Sequence, residues 1–146
     1  MNKLLTVIIY IHVVSAIVSV GPLVVLLPLL TKMEKSDESE LSGFVQAFQT
    51  SITVVKHAGH VLVLSGIILV WLSVWTWTTS WVFMTVVIMV GSILFLAKAF
   101  KPTLKTYGTS QFDKEKFIAK LRKSTILYIL LLLIMLWLMV AKPMLW

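Results

Sequence analysis

Three histidines are the side chains of this sequence best suited to chemistry. His57 and His60 are three residues apart and therefore lie on roughly one face of a helix, while His12 is near the start of the chain. Neutral imidazoles from two helices can hold the iron of a b-type haem, and imidazole together with thioether sulfur can bind copper. All three histidines fall within or beside long apolar runs, where an ionisable residue is a functional candidate by default.

The apolar runs that carry the histidines are long enough to cross a membrane. No charged residue occurs over 28 positions at 4–31, over 41 positions at 57–97 or over 18 positions at 124–141. A spanning helix needs about 20 apolar residues, and the polar, tryptophan-rich stretch 76–81 divides the second run into two spans. The sequence therefore predicts an all-α bundle of four transmembrane helices that forms a single integral membrane domain, 1–146. The helices are expected at about 4–30, 40–76, 81–101 and 112–142.

Composition excludes several classes of protein. Of the 146 residues, 59% are hydrophobic and 13% are charged, and the chain has no cysteine. A soluble domain has roughly a quarter of its residues charged, so a cytosolic enzyme and a nucleic-acid-binding domain are both excluded. Disulfides, zinc–thiolate sites and iron–sulfur clusters require cysteine and are therefore absent. The predicted spans contain no Asp or Glu, which disfavours a proton-coupled exporter and a Ser–His–acid hydrolase.

The distribution of basic residues predicts the orientation. Segments 31–56 and 98–123 lie on the same side of a four-span chain and carry 11 of its 13 basic residues. The positive-inside rule places these segments in the cytoplasm and both termini outside. An acidic helix start near 38–44 and a single helical stripe from Phe117 to Tyr128 predict that helices 2 and 4 extend into the cytoplasm. An outer interfacial belt is expected from Trp71, Trp75, Trp77 and Trp81.

A haem between helices 1 and 2 would use the histidines as axial ligands. Helix 1 carries His12 on the face that also holds its small residues, so His12 is expected to point at another helix. Estimated depths differ by roughly 6 Å for His12 and His60 and by about 11 Å for His12 and His57, which makes His12 with His60 the better pair. Lys56 or Lys98 would pair with the haem propionates.

Two alternatives to haem remain open. A copper-handling protein would combine the histidines with thioethers of helices 3 and 4. The candidate thioethers are Met84, Met89, Met135 and Met139. An accessory or assembly subunit would use its histidines only for hydrogen bonds between helices. The expected partners are the lipid bilayer and haem, with a second copy of the chain or a respiratory-chain protein, and no nucleic acid.

Motifs at both ends of the chain resemble a bacterial superfamily of small four-helix membrane proteins. His12 is followed by Gly21-Pro22 and Leu27-Pro28, and residues 140–144, Val-Ala-Lys-Pro-Met, are similar to the Val-Lys-Pro-Phe ending of the HemJ type. The superfamily includes the HemJ-type protoporphyrinogen oxidase, the CopD copper-resistance domain and an uncharacterised family of predicted integral membrane proteins. The last is the branch that the chain resembles most. The resemblance implies a haem-binding, oligomeric protein of the bacterial plasma membrane, with His12 as a ligand.

Helix 3 departs from the HemJ pattern. The HemJ type has a lysine within helix 3, whereas helix 3 of this chain, from Trp81 to Lys98, has no internal lysine, and His57 and His60 occur on helix 2 instead. This difference argues against protoporphyrinogen oxidation and leaves room for a haem site with a ligand from helix 2. The leading hypothesis is a membrane-embedded b-type haem protein with a redox or electron-transfer role. The activity of a haem-dependent oxidoreductase is one form that this role could take.

Overall fold

The computed structural model describes residues 2–146, which form four long α-helices and one short one. The helices are α1 (Lys3–Lys35), α2 (Glu38–Leu72), α3 (Ser80–Ala99), α4 (Lys101–Lys105) and α5 (Lys114–Ala141). This part of the chain contains no strand. Four segments are long and apolar enough to cross a membrane: α1, α2, α3 continued through α4, and α5. The predicted all-α architecture of four membrane-length helices is confirmed.

α1 continues five residues beyond the expected end near residue 30. Pro22 and Pro28 both lie inside it without ending it. It stops at Ser36, where the backbone becomes extended, and both the hydroxyl and the N–H of Ser36 donate to the Met33 carbonyl. A local cap, rather than the end of the apolar run, therefore determines where α1 ends.

Capping carboxylates fix the starts of α2 and α5. The carboxylate of Asp37 accepts hydrogen bonds from the Ser39 hydroxyl at 2.6 Å and from the Glu40 N–H at 3.0 Å. The carboxylate of Asp113 accepts from the Glu115 N–H at 3.1 Å in the same way. Aspartate at this position satisfies backbone donors that have no partner within the helix. Both helices begin within two residues of the predicted starts.

The connection between α2 and α3 begins earlier than expected. α2 ends at Leu72 rather than near residue 76, because the Ser73 hydroxyl accepts a hydrogen bond from the Trp75 N–H at 3.2 Å and begins a turn. At its other end, α3 stops at Ala99, and Pro102 lies in the first turn of α4, where its missing N–H costs no hydrogen bond.

The four spanning helices form an incomplete ring. α1 packs along α2, and α5 packs against both α1 and α3, whereas α2 and α3 hardly touch. Their order around the bundle is therefore α2, α1, α5, α3. The side between α2 and α3 is open.

The two helix connections that carry most of the basic residues meet at one end of the bundle, which we call the basic end. The ammonium group of Lys114 donates to the Ser36 carbonyl at 2.6 Å, which joins the start of α5 to the connection between α1 and α2. Arg122 forms an ion pair with Glu34 at 2.6 Å, which joins α5 to α1. These contacts place residues 34–36 and 114–122 side by side.

The opposite end, the tryptophan end, is covered by residues 142–146, which we call the clasp. The fully buried hydroxyl of Ser80 donates to the Pro143 carbonyl at 2.8 Å and accepts from the Leu145 N–H at 2.9 Å. The indole N–H of Trp146 donates to the Thr78 carbonyl at 2.8 Å. The clasp therefore ties the end of α5 to the connection between α2 and α3.

A cation–π cluster lies under the clasp. The rings of Trp75 and Trp81 meet edge to face with centroids 5.4 Å apart. The ammonium group of Lys142 lies 5.7 Å from the centroid of Trp75 and 5.6 Å from that of Trp81. A cation within about 6 Å of an aromatic ring is attracted to its face. Two of the four tryptophans expected to form a belt therefore hold the clasp.

The apolar core is concentrated toward the basic end. There α1, α2 and α5 bury large side chains against one another: Leu23, Leu26, Leu30, Met33, Leu41, Val45, Phe48, Phe117 and Leu121. Toward the tryptophan end, α1 and α2 instead bury the small residues Ser15, Ser19 and Ser65. Small residues let helices approach closely in lipid, where packing and hydrogen bonds hold them together.

Candidate functional site

His12 is held against α2 by a hydrogen bond. Its Nδ1 lies 2.9 Å from the Ser65 hydroxyl, which itself donates to the Val61 carbonyl at 2.7 Å. With the hydroxyl hydrogen of Ser65 directed at the Val61 carbonyl, the matching tautomer of His12 donates Nδ1–H to the Ser65 oxygen and carries its lone pair on Nε2. The ring also covers Gly66, where an added Cβ would lie 3.2 Å from its Cε1. His12 therefore points at a neighbouring helix, as its position on the small-residue face predicts.

His57 and His60 are neighbours on α2, with ring centroids 6.2 Å apart in an edge-to-face arrangement. Both side chains are exposed. His12 makes its polar contact with Ser65, which is five residues and roughly 7 Å along α2 from His60. The structure therefore brings the two α2 histidines together, and it places His12 one and a half turns further toward the tryptophan end.

A cleft of about 490 Å³ occupies the open side between α2 and α3. One wall is formed by α2 over 49–63, and the other by α3 and α4 over 89–105. α1 contributes Ser19, and α5 contributes Tyr128 and Met135, so these two helices form the floor. Cofactor sites commonly have volumes of about 300–1,000 Å³, and this cleft is within that range.

The charged side chains of the cleft are all basic. Lys56, Lys101 and Lys105 line it together with the imidazole of His60, and no Asp or Glu of residues 2–146 does. Most of the remaining lining is apolar. His12 and His57 are not part of the lining, and Lys98, the second candidate for a propionate, lies outside it as well. The cleft therefore suits an amphipathic ligand with acidic groups.

Tyr128 is a cleft residue that sequence reasoning did not single out. It is 6% exposed, and its ring stacks on that of Phe95 with centroids 6.1 Å apart and an angle of 6° between the planes. Tyr128 lines the floor of the cleft, so its phenol can contact a ligand there. The sequence pointed to Tyr128 only through its place on the helical stripe that runs from Phe117 to Tyr128.

The thioether candidates divide into two pairs. Met89 and Met135 line the cleft, whereas Met84 and Met139 do not. In the described part of the chain, no three His, Cys, Asp or Glu side chains come together as a metal-binding group. A copper site would therefore depend on the sulfur atoms of Met89 and Met135 beside His60.

The chain matches no known family model, no curated protein and no solved structure. The geometry and chemistry of the cleft therefore carry the functional argument.

Proposed function

We propose that this chain is a membrane protein that binds b-type haem in the cleft between α2 and α3 and has a redox or electron-transfer role. One observation carries the proposal: His60 places an imidazole in a cofactor-sized cleft whose charged side chains are lysines. Haem needs an axial ligand, apolar surroundings for its macrocycle and cationic partners for its propionates, and the cleft offers all three. Bound haem would supply one-electron chemistry with a potential tuned by its ligand and surroundings.

Within this proposal, His60 would hold the haem iron and Lys56 would pair with a propionate. Lys56 precedes His60 by four residues, so the two lie about one turn apart on the same wall of the cleft. His12 remains a second candidate ligand, because its Nε2 is free and its Nδ1–H bond to Ser65 is the kind of support that metal-ligating histidines have. We give His60 the principal role because it lines the cleft and His12 does not.

We also propose that the basic end faces the cytoplasm of a bacterium, that both termini lie outside, and that α2 and α5 project into the cytoplasm. The support is the concentration of basic residues in segments 31–56 and 98–123, together with the positive-inside rule. Membership of the superfamily that includes the HemJ and CopD types is part of the same proposal. It rests on the motifs that follow His12 and on residues 140–144.

Absorption spectroscopy of matched histidine variants tests the proposal. The chain purified from haem-replete cells should show a Soret band that shifts when dithionite reduces the sample. His60→Ala should remove most of the band, whereas His57→Ala should keep it, because His57 is an exposed histidine on the same helix that does not line the cleft. His12→Ala should keep the band and lower the melting temperature.

The alternatives give different results in the same experiment. Equal haem content in the His60 and His57 variants would contradict the assignment of the ligand, and loss of the band in a folded His12 variant would transfer the role to His12. Colourless protein with stoichiometric copper would support a CopD-like function. Colourless, metal-free protein would support an accessory or assembly subunit whose histidines are structural.

A further inference from the structure

Two lysines at the basic end of the cleft lack an acidic partner. Lys101 and Lys105 lie four residues apart, at the first and last positions of α4, and both line the cleft. Like charges at this spacing lie on one face of a helix and repel each other. Within residues 2–146 the side chains that form an ion pair are Arg122 and Glu34. Neither lysine of α4 is therefore neutralised by a carboxylate of this part of the chain. An anion held between their ammonium groups would replace this repulsion with attraction.

The cleft next to these lysines is long, apolar and open toward the surrounding lipid. Along α2 it extends from Gln49 to Val63, which is roughly 20 Å. The opposite wall is largely apolar and includes Ile93, Leu96 and Leu104. The rings of Phe48 and Phe100 meet at the basic end of the gap, and beyond this contact α2 and α3 hardly touch, so a hydrocarbon chain can lie between them there.

We propose that Lys101 and Lys105 bind the phosphate of an anionic phospholipid from the leaflet at the basic end, and that an acyl chain of this lipid lies between α2 and α3. The charge of the lysines, the absence of acidic lining residues from the described chain and the lateral opening together favour this ligand. Basic pockets between transmembrane helices are known to bind anionic headgroups. The lipid covers the open side of the bundle. Because haem would occupy the same cleft, lipid binding is read from the haem-free mass.

Native mass spectrometry of the full chain in mild detergent tests this inference. Phosphatidylglycerol and phosphatidylcholine with identical acyl chains are titrated separately, so that only the headgroup charge differs. The wild-type chain should bind phosphatidylglycerol about tenfold more tightly or better. The double variant Lys101→Gln/Lys105→Gln should lose that preference. Lys101→Arg/Lys105→Arg should keep it, because the charge remains.

Lys116→Gln/Lys120→Gln is the matched control. These two lysines are also four residues apart and exposed, but they lie on α5 outside the cleft. The control should keep the lipid preference. Equal binding of the two lipids by the wild type, or an equal loss in both glutamine variants, would overturn the proposal. Displacement of phosphatidylglycerol by millimolar inorganic phosphate would also overturn it, because it would indicate a site for free anions.

Circular dichroism of each variant shows whether the helices are retained. If the glutamine variant does not fold, the arginine variant is compared with a Lys101→Glu/Lys105→Glu variant. The arginines should favour phosphatidylglycerol, whereas the glutamates should repel its headgroup and remove the preference. Haem adds a mass of its own, so its presence or absence is recorded separately from that of lipid. Failure of the haem proposal and failure of the lipid proposal are therefore distinguishable.

Discussion

The hydrogen bond between His12 and Ser65 should contribute a measurable part of the association of α1 with α2. Side-chain hydrogen bonds between membrane helices are worth about 0.6 kcal/mol on average and up to about 1.7 kcal/mol. The bond is 2.9 Å long and Ser65 is buried, but the Ser65 hydroxyl keeps its partner on Val61 when the imidazole is removed. No buried hydroxyl is left unsatisfied, so we expect a coupling energy of about 0.5–1 kcal/mol.

A double-mutant cycle isolates this term. His12→Phe removes the donor and keeps a ring above Gly66, Ser65→Ala removes the acceptor, and the double variant completes the cycle. The free energy of unfolding is measured by titration with denaturing detergent in mixed micelles. The double variant should lose less unfolding free energy than the two single variants lose in sum, and the difference is the coupling energy. If His60 is the haem ligand, the Soret band should survive in every folded member of the cycle.

Ser15→Ala provides the matched control. Ser15 is also a buried serine that donates to a carbonyl four residues earlier, here that of Ile11, but its hydroxyl bonds only within its own helix. We expect no coupling between Ser15→Ala and His12→Phe beyond experimental error. A coupling below about 0.3 kcal/mol in the first cycle, or an equal coupling in both, would refute the reasoning.

Three further predictions concern other parts of the fold. Gly66→Ala should lower the melting temperature in detergent, because the added Cβ would lie 3.2 Å from the imidazole of His12. Gly91→Ala, whose Cβ would meet nothing within 4 Å, should be neutral or stabilise the fold by up to about 1 kcal/mol. Equal effects of the two substitutions on the melting temperature would contradict this account. Ser80→Ala should remove two hydrogen bonds to the exposed clasp, each worth about 0.5–1.5 kcal/mol, and should speed amide hydrogen exchange in the clasp. Unchanged exchange would count against the clasp as a structural tie. The Ser39 hydroxyl and a backbone N–H hold the pKa of Asp37 below its ordinary value, so the stability that this carboxylate contributes is complete above the ordinary pKa of about 4 and is lost as the pH falls through the lowered value. Asp37→Asn, which caps the helix without titrating, should therefore lose less stability in acid than the wild type when unfolding is measured from pH 6 to pH 2, and identical acid profiles would disprove this account.

The spans could be predicted from the sequence because charge is expensive in lipid. Runs without charge located four membrane-length helices, and the acidic residues near 38 and 113 indicated where α2 and α5 begin. The ends of α1 and α2 were missed by four or five residues, because the serines that cap them form local hydrogen bonds that hydropathy does not report. The break near Phe100 was also missed, although Pro102 marks it.

The site could be predicted only in part, because a membrane helix is apolar on every side. In a soluble protein the polar face reveals which side points outward, but here the lipid-facing side chains are as apolar as the buried ones. The small residues that share a face with His12 were enough to predict that its side chain points at another helix. Nothing comparable indicated that α2 and α3 stay apart. The cleft and its lysines on α4 therefore became visible only in three dimensions.

The missing contact between α2 and α3 has a mechanical consequence. α1 pairs with α2 and α3 pairs with α5, and the two helix pairs meet where α1 packs against α5. At the tryptophan end the clasp also ties α5 to the connection between α2 and α3, and at the basic end the ring of Phe48 on α2 lies 6.1 Å from that of Phe100. The gap between α2 and α3 is therefore bounded by side-chain and backbone contacts at both of its ends, whereas its middle is reached from the side of the bundle.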